Sequence, residues 1–310
     1  MPLLITGCTN RKRIGPDHSV TARTLAVGHL EAVRAEWLDR LDKARVVAEA
    51  VSLYCGRSIV EIRGAARAAN AGLAFISAGL GIVCADTAIP SYSLTVSGRG
   101  PDAVLGRITP ACSPADWWSG LEPCSRFGRG TADLAREHGG LLICALPQAY
   151  LLMAAPGLIS LAESGAIDLR IITAARKENI DQRLHRWTMP YDDRLDGPDS
   201  PISGTLGDFP ARAARHFVEA ILSREPRGAA SQHARSVDAA LSRWRPSVSR
   251  VGRRCSDDEV MALLRKHWQA AEGRSTALLR VLRDDLGIAC EQGRFANLAR
   301  KIRAERGLHA

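Results

Sequence analysis

The chain has 310 residues, of which 46% are hydrophobic and 24% charged, enough for one α/β core and a smaller second unit. No run of about 18 uncharged apolar residues is present, and the first residues lack the pattern of a secretory signal. The eight cysteines show no C-x-x-C pair and no zinc-like spacing. We therefore predict a cytoplasmic protein with no membrane contact, no metal and no cofactor.

The formal net charge of +9 is unevenly divided along the chain. Residues 231–310 carry 16 Lys and Arg against 9 Asp and Glu, whereas residues 1–230 carry 26 against 24. Positive charge concentrated in one segment is typical of a nucleic-acid-binding region, because neutralising phosphates supplies most non-specific affinity. The charge distribution therefore predicts that the last quarter of the chain binds DNA. A basic, solvated tail is the alternative.

Short apolar runs alternate with helical patterns over the first 222 residues. The runs are continuous and bounded by polar loops, which is typical of parallel strands covered on both faces. The predicted strands are 2–7, 73–77, 141–146 and 167–174. The predicted helices are 25–50, 54–72, one capped by Ser113, 131–140, 149–164 and 210–222. This order predicts an α/β fold with a four-stranded, mostly parallel sheet flanked by helices.

The last third of the chain changes composition. Residues 225–255 mix Pro, Gly, Ser and Arg around one short helical pattern, so we predict a linker between an α/β domain over 1–224 and a domain over 256–310. Three compact helical patterns follow, the first capped by Ser256. Their apolar positions would close one small core, which predicts an all-α, helix-turn-helix-like domain.

Polar loops follow each predicted strand. In an open parallel sheet, ligands bind beyond the carboxyl ends of the strands, so we expect these loops to form one site. An amide or carboxylate can position water, a cation can hold an anion, and a tyrosine ring can stack on a base. The candidate catalytic residues are Asn10, Asp86 and Lys12. The candidate substrate-binding residues are Thr9, Arg11, Ser77, Tyr92, Ser93, Tyr191 and Asp192.

Two family resemblances bear on these loops. The segments "GCTNRKRIGPDHS", "YCGRS", "ISAGLGIVCADTAIPSYSLT" and "PYDDR" resemble the archaeosine synthase core domain and its uncharacterised bacterial relatives. There, a Cys-Ser-x-x-Lys-Pro-Tyr loop carries a lysine that attacks a deazaguanine nitrile. Cys8, Thr9 and Lys12 match that loop, whereas Arg13 and Ile14 replace the Pro-Tyr. This resemblance implies a lysine-dependent base-modifying transferase.

The predicted sheet also resembles the uracil-DNA glycosylase superfamily, whose water-activating Asp or Asn lies in the loop after the first strand. In its mismatch-specific members that loop reads Gly-Ile-Asn-Pro-Gly, so Asn10 is the positional analogue. The resemblance implies a phage-defence DNA glycosylase that removes a modified base, such as glucosylated hydroxymethylcytosine. Lys12 would then be an electrostatic clamp, since Arg11 and Arg13 flank it and we expect nothing nearby to be apolar enough to desolvate its ammonium.

The terminal segment "SDDEVMALLRKHWQAAEGRSTALLRVLRDDLGIACEQGRFANLARKIRAE" resembles bacterial helix-turn-helix modules. Amide and guanidinium groups on an exposed helix can read base edges and meet phosphates. The candidate DNA-binding residues are Arg274, Arg294, Asn297, Arg300 and Lys301.

The favoured function is a DNA glycosylase that flips a modified base out of duplex DNA, with no obligate protein partner. A DNA-binding regulator with a nucleotide-sensing α/β domain and the lysine-dependent transferase stay open.

Overall fold

A computed structural model describes residues 1–98, 100–130, 133–134, 137, 140–165, 167–247 and 252–307. The chain divides into two compact units, Met1–Ser247 and Val248–Ala310. Among the described residues, no helix has both the length and the apolar character needed to cross a membrane.

The first unit is built on a five-stranded sheet. Its strands are β1 (Leu3–Gly7), β3 (Gly72–Ser77), β4 (Gly81–Cys84), β6 (Leu141–Ala145) and β7 (Asp168–Ile172), in the order β4-β3-β1-β6-β7. Strands β3, β1, β6 and β7 are parallel, which confirms the mostly parallel α/β sheet. Strand β4 runs antiparallel to β3 and was not predicted. It was missed because its residues follow a short reversal that reads in sequence as a glycine turn.

A two-stranded antiparallel ribbon also differs from the prediction. Its strands are β2 (Val46–Glu49) and β5 (Ala88–Pro90). The helix expected over 25–50 covers only Leu30–Lys43, and the chain turns extended at Ala44. The β-branched residues Val46 and Val47 that follow favour a strand. Pairing with β5 supplies hydrogen-bond partners for the backbone groups of this strand.

Helices cover both faces of the sheet, and Ser113 caps the fourth of them through a capping box, as predicted. Most of the helix predicted over 131–140 lies outside the described residues. The helices of the first unit are α1 (Leu30–Lys43), α2 (Ala50–Leu53), α3 (Arg57–Ala68), α4 (Pro114–Leu121), α5 (Gln148–Ser164), α6 (Phe209–His216, continued as a π-helix over Phe217–Leu222) and α7 (Ala230–Leu241).

The core lies in two layers, one on each side of the sheet. Alternation along β1 sends Leu3 and Ile5 to one layer, with Trp37 of α1, and Leu4 to the other, with Phe217. Both layers are fully buried, so the sheet is covered on its two faces, as expected for parallel strands. Because both faces of the sheet are covered, a ligand can reach the sheet only through the loops at the ends of its strands.

The predicted linker over 225–255 is in part a packed element of the first unit. Helix α7 buries Val237 and Leu241 in the second core layer, and the Arg170 Nε atom donates to His233 Nδ1 at 2.9 Å. The unit ends at Ser247, well inside the segment assigned to the linker. The linker prediction overlooked this packing because the two buried apolar positions of α7 are surrounded in sequence by small and polar residues.

The second unit has three helices that begin at or close to the predicted starts, Asp257, Ser275 and Cys290, although the first ends at His267 and not at the predicted Glu272. They are α8 (Asp257–His267), α9 (Ser275–Arg280, continued as a π-helix over Val281–Asp285) and α10 (Gln292–Glu305). A short parallel pair, β8 (Arg253–Arg254) and β9 (Ile288–Ala289), joins the segments before α8 and α10. These helices enclose their own small core, and the likeness to a helix-turn-helix module stays a prediction.

Candidate functional site

A cleft of about 480 Å³ lies at the carboxyl ends of β1 and β6. Its walls come from the loop after β1, the first turns of α3 and α5, the segment around Ser97 and the start of α6. We call residues 8–12 the β1 loop. Ligand pockets typically measure roughly 300–1,000 Å³, so the cleft is large enough for one small ligand or one nucleotide.

The β1 loop is anchored at several backbone positions. The Cys8 N–H donates to Ile76 O at 2.8 Å, and the Cys55 N–H donates to Arg11 O at 3.1 Å. The Thr9 hydroxyl accepts a hydrogen bond from the Arg11 N–H at 3.1 Å. Asn10 lies at the exposed tip of this anchored loop and lines the cleft. Its amide hydrogen-bonds to none of the described residues and is free to bind a ligand or water.

The Lys12 ammonium is packed against aromatic rings. Its Nζ atom lies 4.1 Å from the centroid of the Tyr92 ring and 5.7 Å from that of Tyr54, and it donates to Thr9 O at 3.3 Å. Burial lowers the pKa of Lys12 from its ordinary value of 10.5, an effect that Cys8 partly opposes. The expectation that nothing nearby desolvates this lysine is wrong, because residues distant in sequence supply the rings.

Tyr92 is a buried structural residue, contrary to its predicted role in base stacking. Only 1% of it is exposed, and its hydroxyl hydrogen-bonds to those of Tyr54 at 2.8 Å and Ser77 at 2.5 Å. Burial raises the pKa of both tyrosines, so both keep their protons. Ser77 is also buried, and its oxygen accepts from Gly79 N–H at 3.2 Å. The rings of Tyr92 and Tyr54 thus pack against Lys12 and support the β1 loop on its buried side.

The aromatic residue that lines the cleft is Tyr150, which lies in a segment (147–150) that the sequence places at the site but which is not among the candidate site residues. It lies in the first turn of α5, and its hydroxyl is 3.2 Å from the Cys8 Sγ atom. Burial raises the pKa of Tyr150, so its hydroxyl stays protonated. The available signal was its position, since the first turn after a parallel strand lies at the carboxyl edge of a sheet.

Asp86 lies at the opposite edge of the sheet from the cleft. Strand β4 returns antiparallel to β3, and the Ala85 N–H donates to Leu73 O at 2.9 Å, near the start of β3. Asp86 is therefore exposed at the amino-terminal edge of the parallel strands. The unpredicted strand β4 carries this carboxylate away from the site.

Ser93 is also absent from the cleft lining. Its hydroxyl donates to Asp102 Oδ2 at 2.8 Å, and the same carboxylate accepts from Arg23 Nε at 2.9 Å. Hydrogen bonds from Arg23 lower the pKa of Asp102. Ser93 thus belongs to a surface ion-pair cluster.

Tyr191 and Asp192 have local partners of their own. The Tyr191 hydroxyl hydrogen-bonds to His216 Nδ1 at 2.8 Å in the second core layer, and burial lowers the pKa of that histidine. Asp192 accepts from the Arg194 backbone N–H at 3.0 Å and caps a short 3-10 helix. Neither residue lines the cleft.

In the second unit, a shallow groove of about 890 Å³ follows the exposed side of α10. Asn297, Arg300 and Lys301 line it and are exposed. Arg294 also borders the groove, but it is held by Asp257 at 2.7 Å. Arg274 lies before α9 and pairs with Glu272 at 3.0 Å. The groove thus brings together four of the five predicted DNA-binding residues, and one of them, Arg294, is held by Asp257.

Comparisons of the chain with protein-family models, with curated proteins and with solved structures found no match. Within the described residues, no group of three or more His, Cys, Asp or Glu side chains is placed to hold a metal ion. The fold and site define an α/β protein with a polar cleft at the carboxyl edge of its sheet.

Lys12→Met should stabilise the protein at neutral pH by about 0.5–1 kcal/mol, because the wild type keeps a charged ammonium where burial disfavours it. The lowered pKa means that the unfolded chain binds this proton more tightly than the folded one. The free energy of unfolding of the wild type should therefore rise as the pH increases through the lowered pKa towards 10.5. The difference in this free energy between Lys12→Met and the wild type should shrink over the same range. Urea unfolding at neutral and alkaline pH measures this. A less stable variant at neutral pH would show that the ring contacts outweigh desolvation.

Proposed function

We propose that the protein is a DNA glycosylase that cleaves the N-glycosidic bond of a modified base and leaves an abasic site, as a defence against phage. The observation that carries the proposal is the free amide of Asn10 at the tip of the β1 loop, inside the cleft. Within the described lining no carboxylate is present, so Asn10 is the group best placed to position water there.

The proposed reaction is a hydrolysis. The side-chain carbonyl oxygen of Asn10 accepts a hydrogen bond from a water molecule. This hydrogen bond orients the water so that a lone pair of the water oxygen points at the sugar carbon C1′. The bond from C1′ to the base nitrogen breaks with its electron pair on the base, the water oxygen bonds to C1′, and a water proton leaves with the base or to solvent. An amide cannot take up that proton, so this chemistry needs a dissociative transition state, in which electrostatic stabilisation dominates.

The dimensions of the cleft agree with base flipping. A base inside a duplex is out of reach of the β1 loop, so the target nucleotide must leave the stack and enter the cleft. The cleft is lined by Tyr150 and by the hydroxyls of Thr9, Ser58, Thr95 and Ser97. A wall that combines several hydroxyl groups with one aromatic ring suits a base that carries polar substituents.

Incubation of the full chain with unmodified and with modified phage DNA tests this function. We expect abasic sites in modified DNA, detected by alkaline strand cleavage, and release of the free base. Ligand-dependent binding to a DNA sequence without any product would instead indicate the nucleotide-sensing regulator. A gain of mass on a base would indicate the transferase.

The lysine-dependent transferase is the second candidate, favoured by the lowered pKa of Lys12. The contact of its Nζ atom with Thr9 O supports a different role, in which Lys12 fixes the β1 loop and acts on the substrate only through it. We therefore expect borohydride to trap no covalent protein–DNA adduct during base release. Lys12→Arg should keep measurable activity and Lys12→Ala should lose most of it. An adduct that disappears in Lys12→Arg would make the lysine a nucleophile.

The second unit is proposed to supply affinity for duplex DNA through the exposed side of α10. Deleting residues 248–310 should weaken duplex binding and reduce the log–log salt slope by about 0.9 for each phosphate that the shortened chain no longer neutralises. Titration of one duplex over a range of salt concentrations measures both quantities, and circular dichroism checks that the first unit stays folded. Unchanged affinity and slope in the shortened chain would exclude this role.

A further inference from the structure

Arg11 has no ionic partner among the described residues, although the chain places many of its arginines beside carboxylates. Arg23, Arg170, Arg212 and Arg294, for example, all pair with carboxylates. The Arg11 side chain is exposed and lines the cleft. A guanidinium left unpaired at a cleft wall is available for an anionic ligand.

The Arg11 side chain passes close to Gly56, the residue before α3. Gly56 has a φ of +115°, a conformation that favours glycine, and a Cβ there would lie 3.7 Å from the Arg11 Cδ atom. The aliphatic part of the Arg11 side chain therefore lies close to the start of α3. Ser58, in the first turn of that helix, lines the same cleft.

The first turns of α3 and α5 add backbone donors to the cleft walls. Neither Gly56 nor Pro147, the residues that precede these helices, caps them with a side chain. Ser113, Ser256 and Glu291 cap their helices with side-chain oxygens, whereas α1, α7 and α9 lack a side-chain cap, as α3 and α5 do. The leading N–H groups of α3 and α5 thus lack a side-chain acceptor next to the cleft.

The acidic residues close to this region are already neutralised. Asp208, before α6, accepts from Arg212 Nε at 2.6 Å, and Glu61 of α3 accepts from Arg215 Nη1 at 2.9 Å. Among the described lining residues, the only charged side chain is that of Arg11. The electrostatic field of the cleft therefore favours an anion.

We propose that the cleft is a phosphate-binding site, in which Arg11 and the first turns of α3 and α5 hold the phosphate of a nucleotide. Under the proposed function, on which this assignment of the substrate rests, that phosphate adjoins the flipped nucleotide. The protein would then discriminate a nucleotide from a nucleoside, and anchoring the phosphate would place the sugar near Asn10. A free nucleoside monophosphate carries the same chemistry and should also bind.

Calorimetric titration of the full chain at low ionic strength tests this site without reference to base release. The ligands are inorganic phosphate, deoxycytidine 5′-monophosphate, a deoxycytidine trinucleotide and deoxycytidine. We expect the nucleotides to bind at least about tenfold more tightly than deoxycytidine, as for a charge-assisted hydrogen-bonded anion. Preference for the trinucleotide would identify DNA as the source of the phosphate, and preference for the monophosphate would identify a free nucleotide.

Arg11→Gln should reduce phosphate affinity by about tenfold or more. Arg13→Gln is the matched control, because Arg13 is exposed on the same segment, carries the same charge and is not among the cleft-lining residues; we expect its affinity within about twofold of wild type. Ser58→Asp should also weaken binding while keeping the fold, since a carboxylate is favourable in the first turn of a helix.

Equal phosphate affinity in Arg11→Gln and wild type, or equal affinity for deoxycytidine and its monophosphate, would overturn the site. Phosphate binding that depends on Arg11, together with no base release from any DNA, would retain the site and exclude only the glycosylase. The two failures are therefore distinguishable.

Discussion

Asn10→Ala should lower the rate of base release by about 100-fold or more, the usual effect of removing one positioned polar group from an active site. The amide is exposed, hydrogen-bonds to none of the described residues and lies in a loop whose backbone anchors do not involve its side chain. Its removal should therefore change neither the melting temperature nor the affinity for duplex DNA. Single-turnover release of a modified base, measured beside DNA binding, tests this separation.

Two further variants control this experiment. Asn10→Asp keeps an oxygen that accepts a hydrogen bond from water, so it should retain more activity than Asn10→Ala. Asn179→Ala removes another exposed amide, from a 3-10 helix whose residues do not line the cleft, and should leave the rate unchanged. Normal base release by Asn10→Ala would refute the water-positioning role. Asp86 could not replace it, because it lies at the other edge of the sheet.

The parallel sheet was predictable because its strands are short apolar runs between polar loops, and such runs have few other stable arrangements. Placing side chains around the sheet was harder. The reversal between β3 and β4 is short, yet it moves Asp86 from one edge of the sheet to the other. One unrecognised strand thus removed a candidate catalytic carboxylate, although the neighbouring elements were correctly predicted.

The tyrosines show a second limit of sequence interpretation. Tyr92 and Tyr150 both follow strands in sequence, and composition does not distinguish a ring that supports a loop from one that lines a cleft. Contacts across the fold make the distinction: Tyr92 packs beneath Lys12, while Tyr150 lies beside Cys8 at the cleft. The desolvation of Lys12 likewise arises from residues about 40 and 80 positions away.

Buried arginines are a third feature that periodicity does not reveal. Arg170 and Arg212 are fully buried, although arginine normally indicates an exposed position. Each is surrounded by acceptors from several segments, so their burial depends on tertiary partners. Arg212 has the larger effect on the cleft, because it holds the segment that precedes α6 through Thr205 O. Gly207 in that segment lines the cleft.

Arg212→Met should destabilise the first unit by about 3–5 kcal/mol, the usual cost of removing one partner from a buried ion pair. The guanidinium donates to Asp208 Oδ1 at 2.6 Å, Asp196 Oδ1 at 2.5 Å, Ile202 O at 2.9 Å and Thr205 O at 2.9 Å. Methionine replaces the aliphatic part of the arginine side chain but not its guanidinium, so it leaves the buried Asp208 carboxylate without its main counter-charge. Urea unfolding of the full chain, followed by circular dichroism, measures the loss.

Arg215→Met is the matched control on the same helix. The Arg215 side chain is 40% exposed and pairs with the exposed Glu219 and with the buried Glu61, which also contacts Arg57, so its removal should cost less, about 1–2 kcal/mol. Equal stability of the two variants would show that the Arg212 network is not what holds residues 196–208 in place. If Arg212→Met is selectively destabilised, phosphate binding should weaken under partly denaturing conditions before the sheet unfolds, because the wall of the cleft at Gly207 depends on this network.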